Sequence, residues 1–204
     1  MPPVLRGGLF AYAGRRPQKD ERHVGICSGP ASYERNKVPT ADGQNPEGNA
    51  VNVEHELMIE LMLDAPREKV YRCWSEPELL KQWFAPKPWT TPSVVTDLRP
   101  GGASLITMRS PEGQEFPNPG QWLEVIPGRK LVFSDAFIGD WVPKDGVPFF
   151  TGVLTFEDAG PGKMRYTARA RHWTAEAKAQ HEQMGFVPGW TQCARQLEEL
   201  AKTL

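Results

Sequence analysis

Between residues 57 and 63 the side chains alternate: Leu57, Ile59, Leu61 and Leu63 are separated by Met58, Glu60 and Met62. A period of two puts the first set on one side of an extended chain, so the first element is a strand with a strongly apolar face. The alternation stops at Asp64-Ala65-Pro66. Proline fits the first turn of a helix, where its missing N–H has no partner to lose. A short helix over 66–74 follows, carrying Val70, Tyr71 and Trp74 on one side. Ser75 and Glu76-Pro77-Glu78 open a second short helix by the same logic, ending near Trp83.

Strand-length segments separated by turn residues come next. Ser93–Leu98 ends at Pro100-Gly101-Gly102, and Ala103–Arg109 ends at Pro111-Glu112-Gly113. Gly120–Ile126 is joined by Pro127-Gly128 to Lys130–Phe137. A loop over Ile138–Val147 leads to Phe149–Glu157, and Gly160-Pro161-Gly162 leads to Lys163–His172. Tight turns between consecutive strands imply an antiparallel meander, because parallel neighbours need long crossovers. Thr174 is the expected N-cap of a final helix that is interrupted around Gly185–Gly189, where Pro188 removes a backbone donor. After the interruption Trp190, Cys193, Ala194, Leu197, Leu200, Ala201 and Leu204 share one helical face, with Arg195, Glu198, Glu199 and Lys202 opposite.

The resulting fold class is α+β. A curved antiparallel sheet of about six to seven strands wraps a long C-terminal helix in a helix-grip arrangement, with two short helices after the first strand. A sheet curved around one helix leaves a space between them, and the many aromatics are available to line it.

Composition changes the picture at the N-terminus. Thirteen of the first fifty residues are Gly or Pro, and all seven tryptophans lie beyond them. Residues 1–51 are therefore expected to be a disordered or loosely packed extension, and residues 52–204 the folded domain. The formal net charge of -1 argues against nucleic acid as a partner. No run is long and apolar enough to span a membrane, and the short, Gly-broken apolar stretch at the start does not form a signal-peptide core. Cys27, Cys73 and Cys193 are odd in number, widely spaced and form no CxxC pair, which points to free thiols in a reducing cytoplasm.

Several stretches carry a family resemblance. They are Trp83-Phe84 after the second helix, the Gly101-Gly102 turn, Gly120-Gln121-Trp122-Leu123-Glu124-Val125-Ile126-Pro127 followed by Leu131-Val132-Phe133, His181-Glu182-Gln183-Met184-Gly185-Phe186, and Gly189-Trp190. In this order they resemble the START-like (SRPBCC) superfamily, in the bacterial branch similar to the C-terminal domain of the activator of heat-shock-protein-ninety ATPase. The resemblance covers about 150 of the 204 residues. It implies the helix-grip fold and three kinds of role: binding a hydrophobic or amphipathic small molecule, polyketide cyclase-like chemistry in the same cavity, or a chaperone-activator interaction. The last is disfavoured, because in the resembled family it involves a separate N-terminal domain.

Side-chain alternation then sorts the candidates. On the last strand Met164, Tyr166, Ala168, Ala170 and His172 share a face, which directs His172 toward the cavity. Histidine titrates near neutrality and can act as acid, base or hydrogen-bond donor. The plainer reading is a strand-end histidine bonded to the start of the following helix. Asp135 shares a face with Leu131, Phe133 and Phe137, and Glu124 lies between Trp122 and Ile126. Either carboxylate would be costly to bury among aromatics unless paired, so burial would mark a site, whereas a solvated strand end is the plainer reading. His172, Asp135 and Glu124 are the acid–base candidates should the protein be an enzyme. The expected cavity residues are Trp83, Trp122, Phe133, Trp141, Tyr166, His172, Met184, Phe186 and Trp190, with His172 and Tyr166 as polar orienters and the loop around Trp141 as a lid. His181 has no second histidine four residues on, so neither metal nor other cofactor is expected. GxSxG, GxxxxGK[ST] and GxGxxG signatures are absent, which removes the common hydrolases, P-loop enzymes and dinucleotide enzymes. The preferred reading is a cytoplasmic binding protein for a small hydrophobic molecule; homodimerisation is left open.

Overall fold

The computed structural model describes residues 54–204; the expected N-terminal extension over 1–51 lies outside the described residues. Strand β1 (Glu56–Leu63) is followed by helices α1 (Arg67–Ser75) and α2 (Pro77–Leu80). Strands β2 (Thr90–Thr96), β3 (Ala103–Arg109), β4 (Glu115–Ile126), β5 (Lys130–Ser134), β6 (Phe150–Asp158) and β7 (Met164–His172) come next, and helices α3 (Ala175–Gln183) and α4 (Phe186–Thr203) end the chain. The seven strands form one antiparallel sheet in the order β1-β7-β6-β5-β4-β3-β2, so the meander closes by bringing the first strand against the last.

Alternation explains how the sheet is sided. One row runs across it through Leu57, Ala170, Gly152, Phe133 and Trp122, and the next through Ile59, Ala168, Leu154, Leu131 and Val125. These rows face the helices and supply much of the core. The opposite face of β1 and β7 is charged: Glu56 pairs with Arg169 and Arg171, and Glu60 with Arg165. Exposed pairs of this kind add little stability, but they keep that face in water.

Among the element boundaries that differ from the sequence expectation, three have a clear physical cause. Strand β4 begins at Glu115, five residues before the expected Gly120, and it includes Pro117 and Pro119. Proline is tolerated there because β5 pairs only with Gln121–Ile126, so residues 115–120 of β4 have β3 on one side and no strand on the other. Strand β5 stops at Ser134 instead of Phe137, because the next residue leaves the ladder to organise the following loop. The break between α3 and α4 falls at Gly185, in the left-handed conformation with φ 90°, and Pro188 belongs to the first turn of α4, where no N–H is required.

Helix α3 starts as expected, the Thr174 hydroxyl accepting the Ala177 N–H at 3.1 Å. Helix α4 buries Trp190, Cys193, Ala194, Leu197 and Ala201. It also buries Glu198, expected on the polar face and only 5% exposed. The Glu198 carboxylate accepts the Asp64 N–H at 2.7 Å and pairs with Arg195 at 2.8 Å, which ties α4 to the end of β1.

Candidate functional site

Helix α4 rests on β1 and α1, and small residues at Ala168 and Ala170 of β7 keep the sheet floor low between them. Aromatic side chains occupy the resulting space. A chain of ring contacts runs from Trp122 to Phe133 (5.8 Å between centroids), to Phe150 (5.8 Å), to Trp190 (6.1 Å), to Phe186 (4.8 Å). Edge-to-face and tilted contacts each add about 0.5–1.5 kcal/mol beyond simple burial, so the chain is cohesive. Phe133 lies so close to Gly152 that a Cβ there would come within 2.3 Å of its ring, and glycine at 152 is what admits the phenyl group. Trp122 is 1% exposed and donates its indole N–H to the Thr96 hydroxyl at 2.7 Å. Trp122, Phe133 and Phe186 thus fill much of the space that the sequence reading left open. Met184, half-buried against the core, caps the end of α3.

A pocket remains farther along the grip. Its walls are Trp74 of α1 with Trp83 and Phe84 beyond α2, and Trp190, Cys193 and Ala194 of α4; Tyr166 of β7 also lines it. The centre of a water-sized sphere can move through only about 10 Å³ of it, room for one water. Trp83, Tyr166 and Trp190 belong to the expected cavity set. Trp74, Phe84, Cys193 and Ala194 do not, although their helical spacing already marked Trp74, Cys193 and Ala194 as facing inward.

The polar groups of this pocket differ in what they bond. Trp83 Nε1–H donates to the Cys73 carbonyl at 3.0 Å, and the Cys193 thiol to the Phe84 carbonyl at 3.2 Å. Trp74 Nε1–H is buried and makes no hydrogen bond of good geometry, although it points toward the Tyr166 phenol. Burial raises the Tyr166 pKa well above the ordinary phenol range, so its hydroxyl keeps its proton. Burial likewise pushes the Cys73 thiol up to about 11 and that of Cys193 to about 12, which leaves both inert as nucleophiles near neutral pH.

At the other end of β7 two histidines meet. His172 Nδ1–H donates to the His55 carbonyl at 3.0 Å, which leaves Nε2 as an acceptor, 2.9 Å from Nδ1 of His181 on α3. His172 is 7% exposed and His181 fully buried. Burial first, then the Lys178 and His55 charges, lower the His172 pKa, opposed by the hydrogen bond to the His55 carbonyl. Phe149 and Phe150 cover the pair, with ring centroids 5.2 Å from that of His181. Sequence reading took the two histidines separately and had His172 either directed toward the cavity or bonded to the start of the following helix. The reversal of direction between β7 and α3 is what superposes residues nine apart.

The remaining candidates take other places. Glu124 was expected on the face of Trp122. A bulge between Trp122 and Glu124 inserts one residue into the ladder, so Glu124 stands opposite Val132 on the outer face and pairs with Lys130 at 2.7 Å. Asp135 was expected on strand β5 among aromatics. It lies just past the strand, its oxygens accepting the N–H groups of Phe149 (2.9 Å) and Phe150 (3.2 Å) and the Lys144 ammonium (3.2 Å). It organises the β5–β6 connection. Trp141, expected on a lid, is 53% exposed and packs its indole against Gly101 in the β2–β3 turn, while its backbone N–H donates to Gln121 Oε1 at 2.8 Å. Among the described residues no group of three or more His, Cys, Asp or Glu side chains could hold a metal ion, and no helix is long and apolar enough to cross a membrane.

A sheet gripping one long helix over an aromatic interior defines a helix-grip domain of the START-like kind. The comparisons make this specific: the chain belongs to the family described as "Activator of Hsp90 ATPase homolog 1-like protein", which it matches over residues 64–202. A protein of Nitrosomonas europaea with a crystal structure is 41% identical, covering 74% of this chain and 97% of that one at a TM-score of 0.71. A Mycobacterium smegmatis protein is 26% identical over 73% of this chain and 92% of that one, with a TM-score of 0.61. An AHSA1-like protein from Aeromonas hydrophila, 21% identical with a TM-score of 0.56 over 72% of this chain and 92% of that one, shares the fold. No curated protein matches the chain.

Proposed function

We propose that the domain binds a small, largely apolar molecule between α4 and the sheet. The observation that carries this reading is the pocket of Trp74, Trp83, Phe84, Tyr166 and Trp190. Apolar walls with a few placed polar groups are the usual make-up of a small-molecule site. Because the pocket as it stands has room for one water, a ligand of a few hundred daltons enters by parting α4 from the α1–α2 segment. Buried thiols without a disulfide partner at Cys73 and Cys193 support a reducing, cytoplasmic setting.

A cyclase-like enzyme has less support. His172 was to work with Asp135 or Glu124, but Asp135 is engaged by two backbone N–H groups and a lysine, and Glu124 is on the other sheet face.

Native mass spectrometry of the freshly purified full chain tests the proposal. The expected spectrum shows a non-covalent adduct of a few hundred daltons that is lost on denaturation. An apo mass that persists after incubation with a library of apolar compounds would overturn it.

A further inference from the structure

Taking the proposed binding role as its premise, one pair of side chains defines which molecules the pocket accepts. Trp74 is 3% exposed and Tyr166 2% exposed, and both line the pocket. An indole N–H can only donate, and a buried donor without an acceptor is costly to leave unmade. The Trp74 N–H is directed at the Tyr166 phenol but makes no hydrogen bond of good geometry. The Tyr166 hydroxyl beside it remains protonated, so it too can donate. Elsewhere in the wall, Trp83 donates to the Cys73 carbonyl and the Cys193 thiol to the Phe84 carbonyl. No lining side chain carries a charge.

We infer that the pocket selects a neutral molecule bearing a carbonyl oxygen, which accepts one hydrogen bond from Trp74 Nε1–H and one from the Tyr166 hydroxyl. A carbonyl oxygen has two lone pairs and so satisfies both donors at once. The water-sized space that both residues line is the seat of that oxygen. An ionised head, carboxylate or ammonium, would enter with no countercharge in the wall and is excluded by its desolvation. The surrounding indole and phenyl rings favour a flat, conjugated body attached to the carbonyl. Aryl ketones and aldehydes are the simplest members of the class.

The test uses the full chain with three probes of similar size: acetophenone labelled isotopically at its carbonyl carbon, ethylbenzene and benzoate. Acetophenone is expected to bind about tenfold more tightly than ethylbenzene, since two buried donors gain an acceptor. Its carbonyl carbon resonance moves downfield on binding, and benzoate binds more weakly than either neutral probe. Tyr166→Phe weakens acetophenone about fivefold and leaves ethylbenzene unchanged. Trp74→Phe removes the other donor and gives the same loss of discrimination, should Tyr166→Phe reduce the yield of folded protein. Equal affinity for acetophenone and ethylbenzene, with neither variant altering the ratio, would overturn the carbonyl inference and leave apolar binding standing. Failure of both neutral probes to bind would overturn the two together.

Discussion

Two polar pairs are buried beneath the gripping elements, and they are built in opposite ways. At one end of β7, His172 and His181 are closed on each other: a backbone carbonyl takes one proton, and one ring nitrogen accepts from the other ring. At the other end, Trp74 and Tyr166 face a small space, the Trp74 N–H directed at the Tyr166 phenol without a hydrogen bond of good geometry. Both pairs sit in aromatic surroundings and both are nearly inaccessible to solvent. Burial alone therefore does not separate the two arrangements; the hydrogen-bond partners do. The histidine pair, bonded ring to ring, holds β7 to α3, whereas the open pair is, on the proposed reading, the receptor for an outside acceptor.

The largest expected effect follows from breaking the closed pair. His181→Ala leaves His172 Nε2 without its donor and opens a void beside Phe150 and Phe186, which should cost about 3 kcal/mol, read from urea unfolding. Acid attacks the same pair more gently. The unfolded histidine titrates near 6.5 and the folded His172 lower. Below about pH 6.5 the unfolded chain thus binds a proton that the folded chain refuses, and stability falls with pH by at most about 1.4 kcal/mol per pH unit for this group. Above that range both states are neutral and the contribution is complete. In His172→Gln the decline between about pH 6.5 and 5 should flatten, measured by thermal unfolding across the series. The smallest effect belongs to the open pair: Tyr166→Phe removes a hydroxyl that the Trp74 N–H meets only with poor geometry, and unfolding free energy should change by no more than about 0.5 kcal/mol. A Tyr166→Phe cost as large as that of His181→Ala would erase the distinction between the pairs.

How far the site was legible depends on whether its residues are related by local periodicity. The inward row Tyr166, Ala168, Ala170, His172 could be read directly, because the period of a strand is a local property. Glu124 was misplaced by the same rule, since a one-residue bulge after Trp122 flips everything beyond it and leaves no local mark in an apolar-rich segment. Asp135 was assigned to a strand that stops one residue earlier, where hydrogen bonds to residues 149 and 150 compete successfully with the ladder. The Trp141 loop is fixed by partners at Gly101 and Gln121, distant in sequence, and its exposure could not be deduced from composition.

By itself the sequence determined the order of elements, the apolar faces of β1, β7 and α4, the capping of α3 by Thr174 and the antiparallel meander. Each of these follows from interactions within a few residues or from a regular repeat. Only the tertiary structure decided that β1 pairs with β7, that His172 meets His181, and that Trp74 and Tyr166 share a pocket while Trp122, Phe133 and Phe186 fill the space expected to be open. Those outcomes depend on sheet curvature and on how side-chain volumes divide the interior between α4 and the sheet, and packing of that kind is a property of residues brought together from the whole domain.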